Sequence, residues 1–230
     1  MRTRRLILAL GSTCWATLAG GATPAYPDKP IRMLVAFAPG GNTDILARAV
    51  GQKMTDNWGK SVVVDNRPGG SGLIAAEIVA KATPDGYTVF VASTGEVAVN
   101  PSLFKKLPYD VEKDFAPVSL GTISPILIVA HPSFAPKTIG ELVAFAKEKP
   151  KTLSYASVGV GSPMHLSGEL FKMLTGTDIV HVPYKGGGPA TIALLGGQEV
   201  QIGFIGMGPA IPYVKAGRLK ALAISTARRA

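Results

Sequence analysis

Two glycine-rich turns, Ala38-Pro39-Gly40-Gly41-Asn42-Thr43-Asp44 and Gly161-Ser162-Pro163-Met164-His165, hold the residues best placed to do chemistry. In each, an apolar run gives way to glycines and then to a helical pattern. Glycine lets a backbone approach a ligand closely, and the first N–H groups of a helix lack intrahelical partners and carry partial positive charge. The chemistry on offer is capture of a small anion by main chain. The same pattern also fits an ordinary strand-to-helix turn, with Pro39-Gly40 setting the bend and Asn42 or Thr43 as cap. Asp44, in the first helical turn, complements the helix dipole or orients a cationic part of a ligand.

In the second turn Ser162 is a natural N-cap, and Pro163 stands where proline is tolerated. His165 either reaches a ligand or is structural. A Ser162/His165 pair would make an exported hydrolase, but neighbouring positions at one helix start do not give nucleophile–base geometry. No G-x-S-x-G or G-x-x-x-x-G-K-[ST] occurs, and Pro68-Gly69-Gly70-Ser71-Gly72 is not G-x-G-x-x-G. His131, His165 and His181 show no metal-ligand spacing, so neither metal nor cofactor is expected. Two further turns follow strand-like runs. The hydroxyls of Ser93 and Thr94, beside Gly95, suit a carboxylate, and Phe204-Ile205-Gly206-Met207-Gly208-Pro209 offers apolar surface and backbone N–H groups.

These turns need a rigid frame. Short β-branched runs alternate with helical patterns, the signature of a mainly parallel α/β sheet. Expected strands are 31–37, 61–65, 87–92, 115–120, 126–130, 153–156, 179–182, 200–204 and 219–224. Expected helices include 43–57, 71–81 and 138–149, the last opening on the capping box Thr138-Ile139-Gly140-Glu141. Residues 117–125 join two βαβαβ-like halves. Their turns fall at carboxyl ends of strands, where open α/β sheets bind ligands.

The 230 residues are 47% hydrophobic and 17% charged, enough to build a substantial core. Arg2, Arg4 and Arg5, the apolar run 6–10 and the small residues up to Ala25 form a secretory signal over 1–25, with cleavage before Tyr26 and a periplasmic product. The only Cys, Cys14, lies in that segment, so the mature chain has no thiol. Without the three signal arginines, 21 Lys and Arg stand against 15 Asp and Glu, a balance of +6. No dense basic run accompanies it, which argues against nucleic acid and for small anionic partners.

Six stretches in order carry a resemblance: Tyr26-Pro27-Asp28-Lys29-Pro30-Ile31-Arg32, the turn 38–44, Val64-Asp65-Asn66-Arg67-Pro68-Gly69-Gly70-Ser71-Gly72, Pro84-Asp85-Gly86-Tyr87-Thr88, Gly161 to Leu166, and His181-Val182-Pro183-Tyr184-Lys185-Gly186. Together they resemble the Bug-type family of periplasmic solute-binding proteins, receptors of tripartite tricarboxylate transporters. The resemblance implies a two-lobed, Venus-flytrap α/β fold, each lobe a βαβ-rich sheet flanked by helices. It implies capture of a small organic acid or amino acid and delivery to membrane permease subunits, with a monomer as the expected state and a signalling receptor as the alternative recipient. The turns around Gly40 to Asp44 and Gly161 to His165 would pinch the ligand carboxylate. Lobe 1 is expected over 26–121, lobe 2 over 122–218, and a return strand toward lobe 1 over 219–230. Gln201 stands where the family usually has Asp. Family members normally continue past Ala230 to complete the first lobe, which implies weakened folding or binding for these 230 residues.

Overall fold

The computed structural model describes residues 25–227, and the expected signal over 1–25 lies outside them except for Ala25. Among the described residues, eight strands form two sheets. The first, ordered β2-β1-β3 and wholly parallel, comprises β1 (Ile31–Val35), β2 (Val62–Asn66) and β3 (Thr88–Val91). The second, ordered β6-β5-β7-β4-β8, comprises β4 (Ile126–Ala130), β5 (Ser154–Ser157), β6 (Val180–Pro183), β7 (Ile202–Gly206) and β8 (Lys220–Ile224). Eight helices follow the strands or the loops between them: α1 (Asn42–Trp58), α2 (Leu73–Ala80), α3 (Asn100–Leu103), α4 (Val111–Asp114), α5 (Ile139–Glu148), α6 (Pro163–Thr175), α7 (Gly187–Gly196) and α8 (Met207–Lys215).

Strand alternation explains the layering. In β1, Met33 and Val35 pack with Ala47 of α1 on one face, while Leu34 meets Ala75 of α2 on the other. In β4, Leu127 and Val129 join the core under α7 and α8, and Ala130 joins the one under α5. Each sheet is thus covered on both faces, which is why its strands read as nearly continuous apolar runs.

Two expectations are corrected, and the mainly parallel sheet is refined. Strand 115–120 does not form: Pro117 offers no ladder donor, and Phe115 is anchored instead by its ring against Phe90 and Tyr109, with centroids 5.9 and 5.5 Å apart. The second sheet is not all parallel, since β4 runs antiparallel to both β7 and β8. The run 219–224 does not join the first sheet. It pairs with β4, Leu127 opposite Ile224 and Ala130 opposite Lys220, at the edge of the second, where the partly buried Leu222 and Ile224 pack against its cores.

Candidate functional site

A cavity of about 370 Å³ lies between the two sheets, and elements of both line it. From the first come Gly41, Asn42 and Thr43 at the start of α1, with Ser93 and Thr94 after β3. From the second come Pro163 and Met164 of α6, Gly187 of α7, Gly206 and Pro209 around the start of α8. Residues 119–124, sequence-predicted as strand and linker, form a third wall through Ser119, Gly121 and Ser124.

The turn after β1 has a left-handed residue at Gly40, φ +83°, a conformation that glycine adopts without strain. Behind it Asp44 is buried. Its carboxylate accepts from Gly40 N–H at 2.9 Å, Asn66 Nδ2 at 2.9 Å and Arg48 Nε at 3.0 Å. Burial alone would raise its pKa, but hydrogen bonds from Arg48, Gly40 and Asn66 outweigh it and hold the carboxyl below its ordinary value. Asp44 is a brace for the turn, with both oxygens committed internally. It lies outside the cavity lining.

Neither Asn42 nor Thr43 caps α1. The N-cap is Gly41, with no side-chain hydrogen bond, because the Asn42 amide is engaged across the gap. Its Nδ2 donates to Ser124 Oγ at 3.0 Å, and its Oδ1 accepts from Gly208 N–H at 3.0 Å. Other contacts close the same edge. Ala38 N–H donates to the Lys185 carbonyl at 2.8 Å, and Ser71 Oγ to the Val160 carbonyl at 2.7 Å. Pro39 and Gly40 lie against Gly188 rather than in the cavity, so close that a Cβ on Gly188 would be 2.2 Å from the Pro39 oxygen.

Helices α1, α7 and α8 all begin on glycine N-caps, Gly41, Gly186 at φ +149° and Gly206; in α8 the first N–H groups are taken, Met207 N–H by the Pro125 carbonyl and Gly208 N–H by Asn42 Oδ1. Gly41, Gly187 and Gly206 all line the cavity, so three helix starts converge on it. Among the described residues, the lining has no charged side chain. Helix α7 was not among the helices expected from the sequence. The signal was there, glycines ahead of an apolar helical run.

The turn 161–165 has another role. Ser162 caps α6, accepting from His165 N–H at 3.2 Å and donating to the Gly159 carbonyl at 2.7 Å. His165 Nδ1 accepts from Gly161 N–H at 3.1 Å, and its ring stacks on His181, centroids 4.2 Å apart. Burial lowers the pKa of His165, and burial followed by repulsion from His165 lowers that of His181 to about 4. Both rings are neutral at pH 7. Gly161, Ser162 and His165 therefore shape the α6 start without lining the cavity, and their neighbours Pro163 and Met164 make the wall. Gly95 likewise sits behind Ser93, donating its N–H to Ser93 Oγ at 3.2 Å. Met207 turns into the core beneath α7 and α8, its N–H held by the Pro125 carbonyl at 3.2 Å.

Residues 46–230 match the model of the tripartite tricarboxylate transporter family receptor, TctC. The chain belongs to that family. BugT of Bordetella pertussis is 38% identical over 234 residues, covering 100% of this chain and 71% of BugT. Two further Bordetella relatives are matched over 61% and 60% of their own length. A solved structure described as a periplasmic transporter is 45% identical, with a TM-score of 0.86 over 89% of this chain and 68% of that one. Rpa4515 of R. palustris, solved with adipate, is 36% identical, with a TM-score of 0.83 and the same two coverages. The TctC/Bug fold is thus that of periplasmic binding proteins, and the family is a class of solute-binding receptors. Among the described residues no helix is long and apolar enough to cross a membrane.

Proposed function

We propose that this chain is a periplasmic receptor that captures a small carboxylated solute in the cavity between its two sheets and presents it to the permease of a tripartite tricarboxylate-type transporter. The units 26–121 and 122–218 act as the lobes, and residues 1–25 direct export. The observation that carries the reading is the convergence of two helix starts without side-chain caps, at Gly41 and Gly187, on a cavity without charged side chains, with the start of α8 at Gly206 adding its dipole. Main-chain dipoles favour an anion there, and Thr94 adds a hydroxyl. Adipate in the related Rpa4515 supports a carboxylate. No bond is made or broken in this reading: Ser162 Oγ is spent on its own turn, and the His165 ring on Gly161.

A ligand that binds only the folded state raises its stability. The test is a thermal-shift series on the chain from Tyr26 onward against mono-, di- and tricarboxylates and amino acids. Concentration-dependent stabilisation by one group names the solute class. Silence from protein that melts cooperatively refutes the reading.

A further inference from the structure

Behind the hydroxyl wall of the cavity lies a carboxyl that the reading above leaves unused. Glu96 is fully buried in the π-helical turn Gly95–Val99, beside Ser93 and Thr94. Its Oε2 accepts from Ser93 N–H at 2.6 Å and from Ser93 Oγ at 2.8 Å. Its other oxygen, Oε1, is buried without a partner. The carboxyl occupies space that exists because residue 72 is glycine: φ there is +87°, and a Cβ would stand 2.4 Å from Oε1. The turn is pinned from outside, with Tyr109 Oη donating to the Glu96 carbonyl at 2.7 Å and Asn100 Nδ2 to the Ser71 carbonyl at 3.0 Å.

We propose that Glu96 is a positioning residue of the solute cavity, fixing the Ser93–Thr94 wall from behind and setting by its protonation whether that wall accepts an anion. This rests on the carboxylate reading. The groups facing Glu96 are Ser93 on its own turn, Gly72 of the turn before α2, Asn100 of α3, and Tyr109; only Tyr109 among these titrates, and burial raises its pKa. No cation bonds the Glu96 carboxyl. Burial therefore pushes its pKa up, against the hydrogen bonds from Ser93 that pull it down. As the neutral acid, Glu96 lets the wall, with the Thr94 hydroxyl at its face, meet a carboxylate without opposing charge. Once ionised, it places a negative charge one hydrogen bond behind the wall.

The test compares wild type, Glu96→Gln and Glu96→Ala, from Tyr26 onward, with adipate as probe across the pH range. Reading wild type against Glu96→Gln at each pH cancels adipate's own ionisation. The expected result is that wild-type affinity falls relative to Glu96→Gln by about tenfold or more as pH rises. Glu96→Ala, which leaves Ser93 unheld, binds more weakly than Glu96→Gln at every pH. A pH-independent ratio overturns the protonation role, and full affinity in Glu96→Ala overturns the positioning role. Without ligand, a carboxyl whose folded pKa is raised loses stability as pH climbs from its ordinary range toward the folded value. Glu96→Gln should then melt increasingly above wild type as pH rises, and the lack of that gap overturns the proposal on its own. Silence toward every carboxylate, with that gap present, sinks the solute reading and leaves the buried neutral acid standing.

Discussion

Replacing Gly188 by alanine tests whether the two units meet where the structure places them. The new Cβ would lie 2.2 Å from the Pro39 oxygen, 3.3 Å from its carbonyl carbon and 3.5 Å from Gly40 Cα, all main-chain atoms that cannot swing aside. Relief requires the edge to open by about 1 Å, since ordinary contacts begin near 3.4 Å. Overpacking of this kind costs about 1–3 kcal/mol. Because the strain exists only with the units together, it weakens solute affinity by about 5- to 150-fold. The control is on the same helix. Gly196→Ala meets nothing within 4 Å, so it should stabilise the fold by about 1 kcal/mol through helix propensity, raising the melting temperature, and leave affinity alone. Calorimetric titration with adipate gives the affinities, and small-angle scattering gives the radius of gyration without ligand. Gly188→Ala should scatter as a more open molecule. Wild-type affinity together with an unchanged radius would refute the closed arrangement of Pro39, Gly40 and Gly188.

Asn42→Ala removes both bonds of the bridge to Ser124 and Gly208. At about 1 kcal/mol each, binding should weaken about tenfold or more, read by the same titration, while an unchanged affinity would show the bridge to be idle. Ser162→Ala loses the α6 cap and about 1 kcal/mol of stability in a denaturant melt, yet keeps affinity within about twofold; a collapse of binding would put Ser162 on the ligand. His181, with a folded pKa of about 4, binds its proton less readily than the unfolded chain does, so its contribution to stability falls as pH drops from about 6.5 toward 4. Ring-proton NMR of His181 should show it neutral at pH 6, and a midpoint near 6.5 would contradict the burial.

What the sequence revealed divides by distance along the chain. The Ser162 cap, the Thr138 capping box and the runs behind eight of the strands are local, and the chain adopts them. Asn42 was read as a cap because its long-range partners were invisible: Gly208 lies 166 residues away and Ser124 lies 82. The stacking of His165 on His181 and the burial of Glu96 against Gly72 are hidden for the same reason, as is the reversal of β4, since a strand's residues do not record the direction of their neighbours. The segment 115–120 misled in the other sense. Its apolar residues suit a strand, but Pro117 and the seat of Phe115 against Tyr109 keep it out of the sheets, and its end, Ser119 and Leu120, lines the cavity.

A grip made of main-chain N–H groups has an inheritance unlike one made of arginines. In the proposed grip at Gly41 and Gly187 there is no side chain whose loss would release the anion, so substitution at the apolar walls would leave the anchor in place. Val97, Leu120 and Met164 would then be free to drift toward the shape of a new cargo while the carboxylate end stays held. A lineage built this way can change diet through ordinary point mutations, and its vulnerable positions are the glycines, where any gain of bulk closes the door.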